Sequence, residues 1–208
     1  MEFTPVQLDA LQELANIGAA HSATTLSQML NCHVNMNVPE IDIVDIAHMG
    51  QLLTDEITTF VVFELQGEMP HGGFLVLHFP EDSAMRTANI LIGSGDSAMP
   101  AGEMDQSAIL EVGNIMISAF LSATSDLLGI MMLPSPPVLV VDMTHAVIES
   151  LIAGMTIEVN DVVLFRINLG SEEHKIGANI LIFLEVSTLQ MVADMLEEMM
   201  KPDPRAGN

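Results

Sequence analysis

Hydrophobic and polar residues alternate with two different periods along this chain. Two long segments, about Thr4 to Leu30 and about Glu103 to Leu128, repeat their apolar and small residues every three or four positions, which predicts a long helix in each half. The same periodicity predicts shorter helices at about 45–53, 80–92, 142–151 and 186–200. Runs rich in β-branched residues predict strands at 34–38, 39–44, 58–65, 73–79, 137–141, 162–169 and 178–184.

A polar motif occurs once in each half of the chain. Its two copies lie 98 positions apart and consist of Asp9, Glu13 and Asn16 and of Ser107, Glu111 and Asn114. After 22 intervening residues each copy is followed by a proline, Pro39 or Pro137. Further on, 73–79 resembles 177–183 at an offset of about 104 to 105, which implies a short insertion near 156–161 in the second copy. An internal duplication of this length indicates two copies of one structural plan.

The order of the elements predicts the fold class. We expect an α+β protein that is internally duplicated with pseudo-twofold symmetry, in which helices flank a β-sheet built from both halves. The whole chain, 1–208, is predicted to be one domain, with a first repeat at about 1–98, a second at about 99–200 and a tail at 201–208. The turn-rich stretch at 93–102 has the composition of a connector between the repeats.

Charge excludes several classes of function. Five Lys and Arg residues stand against 28 Asp and Glu residues, giving a net charge of −23, so the chain lacks the basic patch that nucleic acids or anionic membranes require.

With Cys32 as the single cysteine, an intramolecular disulfide is impossible, and the spacing of the seven histidines favours no metal site. The apolar segment 113–134 contains Asn114 and Asp126 and is interpreted as a buried helix rather than a membrane span. We expect no membrane insertion and a cytoplasmic location.

The direction of the motif residues bears on their role. At about 100° per residue, Asp9, Glu13 and Asn16 fall within about 60° of one another, and the second copy clusters in the same way. Opposite them lie mostly apolar and small positions, which for the first helix include Leu8, Leu11, Ala15, Gly18, Ser22 and Leu26. Beside the motifs, a lane predicted to be exposed contains Ala20, Ala23, Thr24 and Ser27 in one helix and Ser118, Leu121 and Ser125 in the other. A glutamate and an asparagine on one helix face usually form only solvated surface, but their recurrence at the same spacing favours a docking site.

These residues carry a resemblance to a known family. The doubled motif with its distant proline, together with segments 11–20, 110–116 and 136–143, resembles the CheC family of chemotaxis phosphatases, relatives of CheX and of the switch protein FliY. The resemblance spans nearly the whole chain and implies dephosphorylation of the phosphorylated response regulator CheY. It implies that Asn16 and Asn114 orient an in-line water and that Glu13 and Glu111 pair with a lysine of the regulator. Asp9 and Ser107 would support these contacts, and the regulator would supply Mg²⁺, so no cofactor is expected on this chain.

A second partner follows from the same resemblance. Members of the family bind the receptor deamidase CheD through the short helix after the second proline, which here assigns Asp142, Met143, Ala146 and Val147 to that contact. The alternative function is therefore a non-catalytic adaptor that binds CheD or the flagellar switch. An ordinary amphipathic surface helix would show the same pattern at these positions.

Overall fold

The computed structural model describes residues 3–45, 56–69, 73–80, 82–94, 103–155 and 161–201. The helices are α1 Pro5–Leu30, α2 Ser83–Leu91, α3 Glu103–Leu128, α4 Thr144–Gly154 and α5 Val186–Met200. The strands are β1 Asn35–Met36, β2 Glu40–Asp45, β3 Ile57–Gly67, β4 Gly73–Phe79, β5 Met132–Pro134, β6 Val138–Met143, β7 Asp161–Ser171 and β8 Ile176–Glu185. The predicted helix at 45–53 lies outside the described residues, apart from Asp45 at the end of β2. The predicted boundary between repeats, at about residue 98, also lies outside them and stays a prediction.

Local sequence signals fix both ends of α1. Thr4 and Gln7 form a capping box, in which each side chain accepts a hydrogen bond from the backbone N–H of the other residue, and Pro5 occupies the first turn. At the other end Asn31 adopts a left-handed conformation with φ 50°, which stops the helix. The 26-residue helix therefore has the length that its periodicity predicts.

The sheet is antiparallel, and the outer strands of each half of the chain pair with a strand of the other half. β4 pairs with β8 at the centre, and β3 and β7 flank this pair. β1 and β2 of the first half pair with β7, whereas β5 and β6 of the second half pair with β3. Each half thus completes the sheet of the other, as expected for a pseudo-twofold sheet built from both.

The strand registers measure the offset between the repeats. Val62 pairs with Val138, and Glu40, which lies 98 positions before Val138, pairs with Arg166. Arg166 follows Val62 by 104 positions. β7, the third strand of the second repeat, therefore lies 104 positions after its counterpart β3. In the same way, the registers of β3 with β4 and of β7 with β8 place β8 105 positions after its counterpart β4. The offset of 104 to 105 expected from the sequence is therefore confirmed by hydrogen-bonded pairing.

Two layers of helix cover the sheet unequally. Residues of α1, α2, α3 and α5 pack on one face and form the larger hydrophobic core with strand residues such as Val61 and Leu77. On the opposite face α4 inserts Val147 and Ile148 against Phe60, Val62 and Phe183. The described structure thus has one main core and a smaller one beneath α4.

The pair formed by α1 and α3 is antiparallel and lies near the pseudo-twofold axis. Ser22 Oγ donates a hydrogen bond to the carbonyl oxygen of Met116 at 2.9 Å, and Gly18 lies against the ring of Phe120. Ser22 is equivalent to Phe120, 98 positions later, and Met116 is equivalent to Gly18, 98 positions earlier. Each contact therefore joins the equivalents of the two residues in the other contact. The two contacts are therefore symmetry mates within a single chain.

Burial follows the same symmetry and corrects part of the sequence interpretation. Each of the ten buried positions of α1 has a buried counterpart in α3, 98 positions later. Ala23 and Leu121, predicted to be exposed, form one of these pairs, because each helix packs on its neighbouring helices as well as on the sheet and so buries a wider sector. Leu8, predicted on the buried side, is exposed in the first turns of α1.

Some boundaries also differ from the prediction. The predicted strand at 34–38 contains only the two residues of β1, and β5 was not expected. The helix predicted at 142–151 begins at Thr144, because Asp142 and Met143 still pair with β3. α2 begins at Ser83 rather than near residue 80.

The apolar helix α3 could cross a membrane if judged by length and composition alone. Half of the residues in its most apolar window are buried inside the protein, where they pack against α1 and the sheet. A mostly buried core helix meets the same length and composition criteria, so this finding is weak evidence for a span.

Candidate functional site

The first copy of the motif lies on the solvent-facing side of α1. Asp9 and Glu13 are exposed, whereas Asn16 is half-buried. Positions three apart on a helix bring their Cβ atoms to about 5–6 Å, so Glu13 and Asn16 form one polar surface. Within the described part of the chain, neither side chain takes part in a hydrogen bond or ion pair. Both are therefore available to a partner.

The second copy on α3 has the same environment. Ser107 and Glu111 are exposed and Asn114 is half-buried, matching their counterparts position by position. Within the described residues, the side chains of Glu111 and Asn114 also have no hydrogen-bond or ion-pair partner. The predicted site residues therefore form two separate, equivalent pairs.

The two copies face opposite flanks of the helix pair. On an ideal helix, Gly18, which contacts α3, lies about 140° around the axis from Glu13 and about 160° from Asn16. Met116, which contacts α1, has the same angular relation to Glu111 and Asn114. Each motif therefore points away from the partner helix.

The antiparallel arrangement also separates the two sites along the helix axes. With Gly18 beside Phe120, Asn16 lies level with Ser122, eight residues from Asn114. At the helical rise this separation is about 12 Å along the axis, in addition to the width of both helices. The two asparagines are therefore too far apart to contact one small group at the same time.

A single hydrogen bond links the first site to the repeat proline. Gln12 Nε2 donates to the carbonyl oxygen of buried Pro39 at 3.1 Å and ties the motif helix to the start of β2. Leu110 occupies the equivalent position in the second copy, where a side-chain amide is missing. The sequence interpretation did not single out Gln12, because only the tertiary structure brings residues 27 positions apart into contact.

The side chains of the two motif copies offer carboxylate, carboxamide and, at Ser107, hydroxyl groups. Neither α1 nor α3 contains a Lys or Arg residue. Among the residues that the structure describes, no group of three or more His, Cys, Asp or Glu side chains could hold a metal ion.

The residues assigned to a CheD contact are only partly accessible. Asp142 and Met143 are exposed at the end of β6, and Ala146 is half-buried on α4. Val147 is buried against the sheet with 6% of its surface accessible, so its side chain cannot contribute to a surface contact. The expectation for Val147 was wrong because the apolar side of α4 faces the second core.

Known structures share the architecture of this chain. Thermotoga maritima FliY superposes with a TM-score of 0.73 at 20% identity, covering 95% of this chain and 99% of that one. Chemotaxis protein CheX from Vibrio vulnificus superposes with a TM-score of 0.56 at 17% identity, over 82% and 98% of the respective chains. The fold is therefore one found among flagellar-switch and chemotaxis proteins.

Sequence comparison narrows this class to one family. The model of the CheC-like family matches residues 6–43 and again 104–141, two segments with the same 98-residue offset as the motif. The Bacillus subtilis "CheY-P phosphatase CheC" is 31% identical over 148 residues, covering 69% of this chain and 70% of that protein. The Halobacterium salinarum "Putative CheY-P phosphatase CheC1" is 35% identical over 124 residues, or 59% of this chain and 63% of that protein. This chain belongs to the CheC-like family.

Proposed function

We propose that this protein is a phosphatase that hydrolyses the aspartyl phosphate of a phosphorylated CheY-type response regulator. The observation that carries the proposal is the twofold occurrence of an accessible Glu–Asn pair on the side of a helix that faces away from its neighbour. A solvated surface would not require the same two residues with matching exposure in both halves. The names of two relatives, which describe phosphatases acting on CheY-P, agree with this chemistry.

In the proposed reaction a water attacks phosphorus in line with the bond to the aspartate oxygen. That bond breaks, and the products are inorganic phosphate and the free aspartate carboxylate. Asn16 or Asn114 orients the water, since a carboxamide offers an acceptor oxygen and donor hydrogens without acting as a base. An aspartyl phosphate is already a reactive acyl phosphate, so positioning a water supplies most of what the reaction lacks.

The glutamates have a docking role in this proposal. Glu13 and Glu111 are exposed and reach beyond the helix surface, where each would pair with the lysine of the regulator's phosphorylation site. Asp9 and Ser107, one turn earlier, would add supporting contacts. The regulator would supply the lysine and the Mg²⁺ ion that neutralise the phosphoryl group, because the motif helices contain no basic residue. This division of groups also explains how an acidic protein can approach an acidic phosphorylated pocket.

The decay rate of a phosphorylated response regulator tests the proposal. We expect Asn16→Ala and Asn114→Ala each to reduce the catalysed rate, and the double variant to slow it by at least about tenfold, towards the regulator's own rate. Asn37→Ala makes the same chemical change at an exposed position outside both sites and should leave the rate unchanged. Equal decay rates with the wild type and the double variant would refute the phosphatase.

The second candidate is an adaptor that binds CheD, favoured by the exposed Asp142 and Met143 at the end of β6, just before α4. In this case Asp142→Ala would weaken CheD binding while the double asparagine variant retained it. An adaptor without catalysis predicts no acceleration of regulator decay by the wild type. In both proposals the protein works in the cytoplasm.

A further inference from the structure

The outer edge of β6 has no neighbouring strand among the described residues. β6 pairs with β3 on one side only and follows β5 at this border of the sheet. An open sheet edge presents unpaired N–H and C=O groups that another chain can bind.

The hydrogen-bond pattern identifies which backbone groups are open. Thr144 N–H donates to the carbonyl oxygen of Glu56 at 3.0 Å, in register with the pairing of β6 and β3. Because antiparallel pairs alternate, the N–H and C=O groups of Leu139, Val141 and Met143 point away from β3. The N–H of Met143 already donates to Asp142 Oδ1 at 2.7 Å. The segment from Leu139 to Val141 therefore remains open for a short added strand.

The side chains of this edge are unusually apolar for exposed positions. Val138, Val141 and Ile57 are 58%, 62% and 68% exposed, and Leu133 on β5 is 50% exposed. Leu139 and Val141 also line a cavity of about 190 Å³ on the helix side of the sheet, where Ala84, Met85 and Ile109 are joined by the polar residues Thr59, Asp105 and Gln106. An added strand could therefore place an apolar side chain in this cavity while its backbone pairs with the edge.

The opposite edge of the sheet is built differently at equivalent positions. β2 carries Glu40 and Asp42, which flank Arg166 of β7, with a Glu40 Oε2 to Arg166 Nη2 distance of 3.4 Å and a closer Asp42 contact. The residues 98 positions after these two acids are Val138 and Val140. Charged side chains protect an edge strand from unwanted pairing, and of these two described edge strands β6 lacks such side chains between 138 and 141.

The charge around the β6 edge specifies the kind of partner. β3, β6 and α4 contain no Lys or Arg, but they contain Glu64, Asp142 and Glu149. The helices that border the cavity add one charge of each sign, Asp105 on α3 and Arg86 on α2. A second copy of this chain would bring another net charge of −23 and would be repelled. We propose that the β6 edge binds an extended, apolar and basic segment of another protein, which adds a strand beside Leu139 to Val141.

A synthetic peptide that alternates valine with lysine tests this proposal with the intact chain. Fluorescence anisotropy should show binding that Val141→Lys weakens by about tenfold or more. Ile43→Lys adds the same charge at the equivalent position on β2, where Ile43 is 46% exposed, and should weaken binding by about twofold or less. Val141→Thr keeps a β-branched side chain and should weaken binding to an intermediate degree, with thermal melting showing that all variants fold.

Four results would overturn the proposal. Equal weakening by Val141→Lys and Ile43→Lys would show that the peptide follows overall charge. Equal binding of a peptide with N-methylated valines would exclude strand addition, and slow hydrogen exchange at Leu139 and Val141 in the free chain would show that the edge is already covered. A dimer that sedimentation velocity detects in the wild type and that Val141→Lys dissociates would assign the edge to a second copy instead.

Discussion

Glutamate and asparagine differ in burial at both motif copies, and this difference suits their proposed roles. Asn16 and Asn114 are half-buried, which limits the rotamers of the carboxamide and lowers the entropy lost when it orients a water. Glu13 and Glu111 are exposed and keep the reach that a charge pairing with a partner requires. The same two residue types would be less suited to these roles if their exposures were exchanged.

Among the described ionisable groups, His78 has the most clearly shifted pKa. Burial lowers the pKa of its imidazole from 6.5 to about 4. Its ring stacks on Phe60 with centroids 4.9 Å apart, and Nδ1 lies 3.0 Å from Nδ2 of Asn179, from which it accepts a hydrogen bond. The folded protein therefore holds His78 in its neutral form.

This environment predicts a pH-dependent stability. As the pH falls, His78 becomes protonated near pH 6.5 in the unfolded chain but only near pH 4 in the folded chain. The contribution of neutral His78 to the free energy of unfolding is therefore complete above pH 6.5 and is lost as the pH falls towards 4. The loss from this residue is up to about 3 kcal/mol. Urea unfolding of wild type and His78→Gln across this range should show a flatter profile for the variant. The exposed control His33→Gln should keep the wild-type slope, and identical slopes for all three proteins would contradict the assignment.

The packing of α1 against α3 depends on the absence of a side chain at one position. A Cβ atom at Gly18 would lie 2.5 Å from Cε2 of Phe120, well inside van der Waals contact. Glycine in the middle of a helix costs about 1 kcal/mol relative to alanine. The close approach of the two motif helices offsets that cost, and Gly113 plays a similar part against Val61 in the sheet.

Gly18→Ala should therefore destabilise the fold despite its better helix propensity. We expect a net loss of up to about 2 kcal/mol, since overpacking a core costs about 1–3 kcal/mol and the propensity gain returns about 1 kcal/mol. A double-mutant cycle with Phe120→Leu, measured by chemical denaturation, checks the cause. The smaller leucine should relieve the clash, so strictly additive effects would show that Phe120 is not the obstacle.

For the whole molecule, the pseudo-twofold arrangement keeps the two Glu–Asn pairs apart. They point to opposite flanks of the helix pair, with asparagines about 12 Å apart along the axis. A partner docked at one site approaches from the side away from the other. In the proposed function, we therefore expect two sites that work independently and at the same time rather than one composite centre.

Independence predicts additive kinetics and a defined stoichiometry. The catalysed rates of Asn16→Ala and Asn114→Ala should sum to the wild-type rate, because each variant retains one intact site. Titration calorimetry with a regulator held in its activated state should give two regulators per chain, with Glu111→Lys reducing this to one. A single bound regulator with both sites intact would contradict the independence while leaving the phosphatase proposal in place.

Much of the fold follows from local patterns in the sequence. The bounds of α1, α3 and α5 agree with the periodicity because helix ends and amphipathic faces are set by residues within a few turns. The 98-residue repeat predicted two equivalent motifs on solvent-facing helix positions, and the exposure of Glu13 and Glu111 agrees with it. Their catalytic role stays a prediction.

Other features depended on contacts between distant residues. Ala23 and Leu121 are buried because neighbouring helices and the sheet cover them from two sides, and Val147 is buried because α4 turns its apolar side to the second core. Local periodicity does not specify which element will cover a given face. The sequence by itself determined the duplicated elements and the polar pairs; only the tertiary structure decided that the pairs face apart and that β6 has an open edge, because both depend on how the two halves pack and exchange strands.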